Sequence, residues 1–279
     1  MESEPSSAPG KGRDEAAGRG GVSRMLESPV VGMAPWIVFS VLVGPGRFEP
    51  AVLTALACVA VLVVGGRIVR RGTSWKLLEV SDVVFFAVMA LVGAFASPGT
   101  HRWLETYAGE VANVALVVIA FGSMALRTPF TLQYAREQVD RAYWHSPVFL
   151  RTNDVITGVW GLAFLVAAVA GAYGDLVLRN PNNLWTGWII QIAAIVAALR
   201  FTTWYPAVVR ARAAGGPRRT RSVAALLLPV AGLLVPAGVV VLIFDSALWW
   251  LGIALIFAGG VLTRSLHHRS RPATDPDRA

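Results

Sequence analysis

The 279-residue chain is 55% hydrophobic and 15% charged, with a mean hydropathy of +0.56. Soluble domains carry about 25% charged residues, so a water-surrounded globule is excluded and lipid is the expected solvent. The net charge of +8 does not point to nucleic acid, because the basic residues alternate with apolar runs instead of lining one face. Anionic headgroups are the expected counter-charge, at about 1 kcal/mol per juxtamembrane Lys or Arg.

Residues 1–28 mix Glu2, Glu4, Asp14 and Glu15 with Lys11, Arg13, Arg19 and Arg24 among Ser, Pro and Gly. Such a composition buries too little apolar area to order itself, and a disordered cytoplasmic tail is expected. It is too acidic for a signal-peptide n-region, and no cleavage site closes a short apolar run, so its removal is not expected.

Eight apolar runs follow: Val30 to Gly44, Pro50 to Gly66, Val80 to Ala96, Glu110 to Leu126, Val155 to Gly174, Leu184 to Leu199, Val223 to Phe244 and Ala247 to Leu262. A hydrocarbon core of ~30 Å takes about 20 residues of helix. The expected fold is therefore an all-α polytopic transmembrane bundle of about eight spans over residues 29–264, followed by a second disordered tail, 265–279. The first and sixth runs are short and should extend into their flanks or sit in thinned bilayer. Cys58, the only cysteine, lies within the second run, where intramolecular disulfides are excluded and a thiolate is disfavoured.

Charge orients the threading. Arg67, Arg70, Arg71 and Lys76, then Arg127, Arg136, Arg141 and Arg151, then Arg200, Arg210, Arg212, Arg218, Arg219 and Arg221 fall on the side of both tails; Arg47, Arg102 and Arg179 fall opposite. The positive-inside rule then places both termini in the cytoplasm, with loops at 44–49, 97–105, 175–183 and Asp245 outside. Trp103, Trp185, Trp188, Trp249 and Trp250 mark the outer interface, and Trp75, Trp144 and Trp204 the inner one, while Trp36 and Trp160 lie inside spans and should face other helices or lipid. The strong preference for Arg over Lys reads as codon bias of a GC-rich bacterial genome, hence a bacterial cytoplasmic membrane.

The most distinctive connector is Arg127 to Asp154, RTPFTLQYAREQVDRAYWHSPVFLRTND. Thr128 is the expected cap of a surface helix with Pro129 at its first position. Leu132, Ala135, Val139 and Tyr143 recur at helical spacing, and Arg136 with Asp140 and Glu137 with Arg141 form i,i+4 pairs. The segment is longer than the usual helix connection of about 2–8 residues. It reads either as a connector docked on headgroups or as a platform for a partner, with Arg136, Glu137, Arg141 and Trp144 as the exposed candidates.

Glu79 and Asp82 share a helical face at the start of the third span. They read as a cation or proton site, or as acids favoured by the helix dipole and neutralised by Arg70, Arg71 or Lys76. His101 and Glu105 would share a face if their stretch were helical, and Glu110 is a distant third, a weak signal for zinc, which takes three or four well-placed ligands. His145 is a cytoplasmic histidine, and His267 and His268 belong to a basic flank. Gly158 to Gly161 and Gly171 to Gly174 suit close helix approach, and Pro229 and Pro236 suit a kink in the seventh span. No catalytic triad, phosphate loop or CxxC occurs, so no enzyme activity, cofactor or metal is expected.

The stretch PWIVFSVLVG at Pro35 to Gly44, the arginine loop after the second span, RTPFTLQYARE at Arg127 to Glu137, Trp144, Asn153 and the Asn183-Leu184-Trp185 opening of the sixth span resemble the intracellular septation protein A family. The resemblance covers about residues 30–212. It departs in the added Val223 to Leu262 and in a longer Asn153-to-Trp160 spacing. It implies a non-enzymatic role in envelope maintenance or septation through other envelope or division membrane proteins. The competing reading is a small-molecule or ion transporter with a midplane cavity reaching Asn113, Gln191 or Pro229; an intramembrane enzyme is third.

Overall fold

The computed structural model describes residues 29–69, 75–180, 183–213, 234 and 249–270. Among these residues every regular element is helical: α1 (Pro29–Gly32), α2 (Ala34–Leu42), α3 (Phe48–Val69), α4 (Leu77–Phe95), α5 (Pro98–Ala125), α6 (Phe130–Gln138), a 3-10 turn (Arg141–Tyr143), α7 (Pro147–Ala172), two π-helical turns (Tyr173–Val177 and Trp185–Ile189), α8 (Ile190–Ala213) and α9 (Trp249–Ser270). The all-helical expectation agrees with this.

Five helices are long and apolar enough to cross a membrane: Phe48–Ile68, Leu77–Phe95, Pro98–Ala125, Pro147–Val177 and Trp185–Ala213. Large apolar side chains on them stand outward, among them Val61 at 70% exposed, Ile68 at 72% and Phe95 at 83%. Water would penalise that surface at about 25 cal/mol per Å², whereas acyl chains solvate it. This is the surface of an integral membrane protein. Hydroxyls within these helices are satisfied locally, as an apolar solvent demands: Thr54, Thr106, Thr152 and Thr202 each donate to the carbonyl four residues back, at 2.6–3.0 Å.

Several boundaries differ from the sequence expectation. The first run is broken at Met33, leaving α2 with nine residues, because Pro35 has no N–H to bond the carbonyl four residues back and its ring crowds that carbonyl. The stretch 97–105, expected as a loop, is largely the first turns of α5, and α7 opens at Pro147, taking 147–154 from the connector. The short sixth run does extend, from Trp185 to Ala213, through Pro206. At the last run the apolar helix is shorter, Gly252–Ser265, and α9 continues to Ser270. The seventh run apart from residue 234, Arg70, Arg71, Pro229, Pro236 and the tail 1–28 lie outside the described residues.

Two compact units divide the chain. The first comprises Met1–Ala115 and Arg127–His145, the second Leu116–Leu126 and Ser146–Ala279. In the first, α3 packs on α2 and α4, and α4 on α6. Its core is aromatic: Trp36, Phe39, Phe48 and Phe86 are at most 2% exposed, and Phe86 lies edge-on to Phe39 at 5.5 Å between centroids. In the second, α7 packs along α8, and Trp160 donates from Nε1 to Thr202 Oγ1 at 3.0 Å.

Glycines mark both cores. A Cβ on Gly93 would stand 2.9 Å from Phe48 Cε1, and one on Gly161 2.8 Å from Phe121 Cζ. Phe48 is 2% exposed and cannot move, whereas Phe121 is 36% exposed and can swing aside. Gly93→Val is therefore expected to destabilise by about 1–3 kcal/mol, and Gly161→Ala by under about 0.5 kcal/mol, as read from thermal unfolding in detergent. Equal losses at the two sites would contradict this packing.

Candidate functional site

The polar residues of the first unit converge at the start of α4. Lys76 caps that helix in extended backbone conformation, and its first amides would lack partners. Two side chains supply them. Glu79 accepts from Lys76 N–H at 3.4 Å, and Gln133 Oε1, from α6, accepts from Leu77 N–H at 2.5 Å.

Lys76 is 3% exposed. Its ammonium donates to Glu137 Oε2 at 2.8 Å and sits 4.1 Å from the Tyr134 ring centroid. Arg67 lies 3.9 Å from Glu79 Oε2 and 4.0 Å from the ring centroid of Trp75. One turn further along α4, Asp82 is 3% exposed and accepts from Trp36 Nε1 at 2.6 Å. Glu79, Asp82 and Tyr134 border a cavity of about 20 Å³ together with Gly32, Val59 and Leu62, room for about one water molecule.

Thus Glu79 and Asp82 do share one face; the cation beside Glu79 is Arg67, whereas the Lys76 ammonium, expected to neutralise these acids, goes to Glu137. The hydrogen-bond partner of Asp82 is Trp36, 46 positions away, which no spacing rule could show. The buried indole was visible as a tryptophan inside a span; its acceptor was not. The cavity does not reach Asn113, which donates to Glu110 Oε2 at 3.5 Å, nor Gln191, which donates to Thr186 O at 3.0 Å. His101 turns from Glu105 to Glu49, Nε2 to Oε1 at 3.8 Å, and stands edge-on to Phe48. Among the described residues no three His, Cys, Asp or Glu side chains gather as metal ligands would.

The connector is not one continuous surface helix. Pro129 takes the cap position expected of Thr128. The helix stops at Gln138, and the Asp140 carboxylate caps the 3-10 turn by accepting from Ala142 N–H at 3.0 Å. A carboxylate one or two positions ahead of free amides competes well with a helical ion pair. Neither i,i+4 pair therefore forms. Glu137 faces inward to Lys76, while Arg136 and Arg141 both turn to Trp144, with guanidinium carbons 5.4 and 5.6 Å from its ring centroid. The buried face is Phe130, Thr131, Leu132 and Tyr134, and Tyr143, expected in the apolar stripe, is 61% exposed.

Of the four candidate contact residues, Arg136, Arg141 and Trp144 form one cluster, and Glu137 belongs to the docking interface beneath it. No protein-family model, curated protein or solved structure matches this chain.

Proposed function

We propose that this chain is a multi-pass protein of a bacterial cytoplasmic membrane, with both termini in the cytoplasm, that serves envelope maintenance or septation through contacts and without chemistry of its own. The observation that carries this reading is the connector between α5 and α7. It is folded and pinned: Gln133, Tyr134 and Glu137 fasten it to the head of α4, leaving Arg136, Arg141 and Trp144 together as a contact cluster. A mere turn between spans would need neither its length nor those attachments. The similarity of motifs and span order to the septation protein A family supports the same assignment.

Replacing Arg136, Arg141 and Trp144 with alanine should abolish crosslinking to a partner protein in native membranes and disturb cell shape, at unchanged protein level. Normal morphology and an unchanged crosslinking pattern would remove the contact role.

A second reading is transport of an ion or small molecule. It draws on Asp82, a 3% exposed carboxyl group within a candidate span that borders a small cavity. Ionisable groups within spans are costly and tend to mark ion or proton paths.

A further inference from the structure

The acidic residues of the connector are already engaged: Glu137 is bound to Lys76, and Asp140 caps the 3-10 turn. Its two central arginines are not balanced by them. Among the described residues neither Arg136 nor Arg141 makes an ion pair, and Arg136 Nε is buried without a hydrogen-bond acceptor. What they share is the Trp144 ring, and that ring is fixed, because its Nε1 donates to Val139 O at 3.0 Å.

Two guanidinium groups held on one anchored indole present planar donors and about two positive charges with little freedom left to lose on binding. Guanidinium matches phosphate by paired N–H donors, and a cation over an aromatic face keeps its charge while shedding part of its water. The chain on either side leads into candidate spans, Pro98–Ala125 before and Pro147–Val177 after. This places the cluster beside a bilayer surface, and Tyr143, 61% exposed, supplies an amphipathic ring of the kind that settles among headgroups.

We infer that Arg136, Arg141 and Trp144 hold the phosphate of an anionic phospholipid headgroup. The inference rests on the membrane-spanning reading and names the first partner of the contact cluster. A bound headgroup neutralises the arginine pair and fixes the connector at leaflet depth, where a neighbouring membrane protein can meet it.

The test is native mass spectrometry of the full-length, detergent-purified protein titrated with phosphatidylglycerol, with phosphatidylcholine as the zwitterionic comparison. R136Q/R141Q should weaken the tightest phosphatidylglycerol binding by about fivefold for each arginine, the factor that corresponds to about 1 kcal/mol per basic residue at a charged surface. Arg179→Gln, which alters an arginine far along the chain, should leave it unchanged. Arg141→Gln alone changes only an exposed side chain and should give a single fivefold step even if the double variant misfolds.

Equal phosphatidylglycerol affinity in wild type and Arg141→Gln overturns the inference. So does displacement of the lipid by millimolar inorganic phosphate, which would assign the arginines to a soluble anion. Loss of a crosslinked protein with lipid affinity unchanged also overturns it, yet leaves the contact role standing; weakened lipid binding in cells of normal shape does the reverse.

Discussion

Trp36→Ala is expected to destabilise the protein by about 3–5 kcal/mol, the usual cost of truncating a large buried aromatic. Trp36 is 2% exposed, lies tilted against Phe85 and Phe86 at 4.6 and 5.2 Å between centroids, and donates its indole N–H to Asp82. The two contributions separate by chemistry. Trp36→Phe keeps most of the ring but leaves the Asp82 carboxyl group without its donor, an omission worth about 1–3 kcal/mol when the group stays dry. Pairing Trp36→Phe with Asp82→Leu should then cost less than Trp36→Phe plus Asp82→Leu taken singly, because the orphaned group is gone. Stability read from unfolding in mixed detergent tests this, and strictly additive losses would mean that the hydrogen bond contributes nothing. Asp82→Asn in proteoliposomes also separates the two functional readings: a carrier loses ion or solute flux, whereas a contact protein shows no flux to lose.

Lys76→Ala and Glu137→Ala should each release the connector from α4. Removing one partner of a buried ion pair leaves the other uncompensated, at about 3–5 kcal/mol for full burial. Lys76 is 3% exposed and Glu137 19%, so the Lys76 loss should fall near the low end and the Glu137 loss should exceed that of Lys76, since it removes the counter-charge of the more deeply buried group. K76M/E137L removes both charges while retaining apolar bulk, and is expected to lie within about 1 kcal/mol of wild type. Proteolysis within 130–145 gives a local readout: both single variants should be cut faster, and the double variant should resist. Equal cutting in all three would detach the salt bridge from the order of this segment.

Much of the helical framework is legible in the residues themselves. An apolar run such as Val80 to Ala96 identifies its helix because composition alone decides whether lipid accepts it, and only the start, at Leu77, escapes, since Lys76 and Glu79 set it by capping and not by hydropathy. Pro35 signals the break in the first run, but the apolar length of that run does not register it. The connector is helical where its apolar spacing indicates but not continuously so, because Asp140 has two local uses of similar strength, pairing with Arg136 or capping Ala142, and sequence spacing favours neither. The site was hardest to see. Asp82 stood out within its run, but Trp36 and Gln133 reach it and its helix from 46 and 56 positions away, and pairings at that distance exist only once α2, α4 and α6 have packed.

The same separation has a bearing on biosynthesis. The leading amide of α4 receives its acceptor from Gln133, which leaves the ribosome on the order of 3–11 s after Leu77 at about 5–20 residues per second. For that interval the head of α4 lacks this acceptor, and it is completed only when a later stretch of chain folds back to close it.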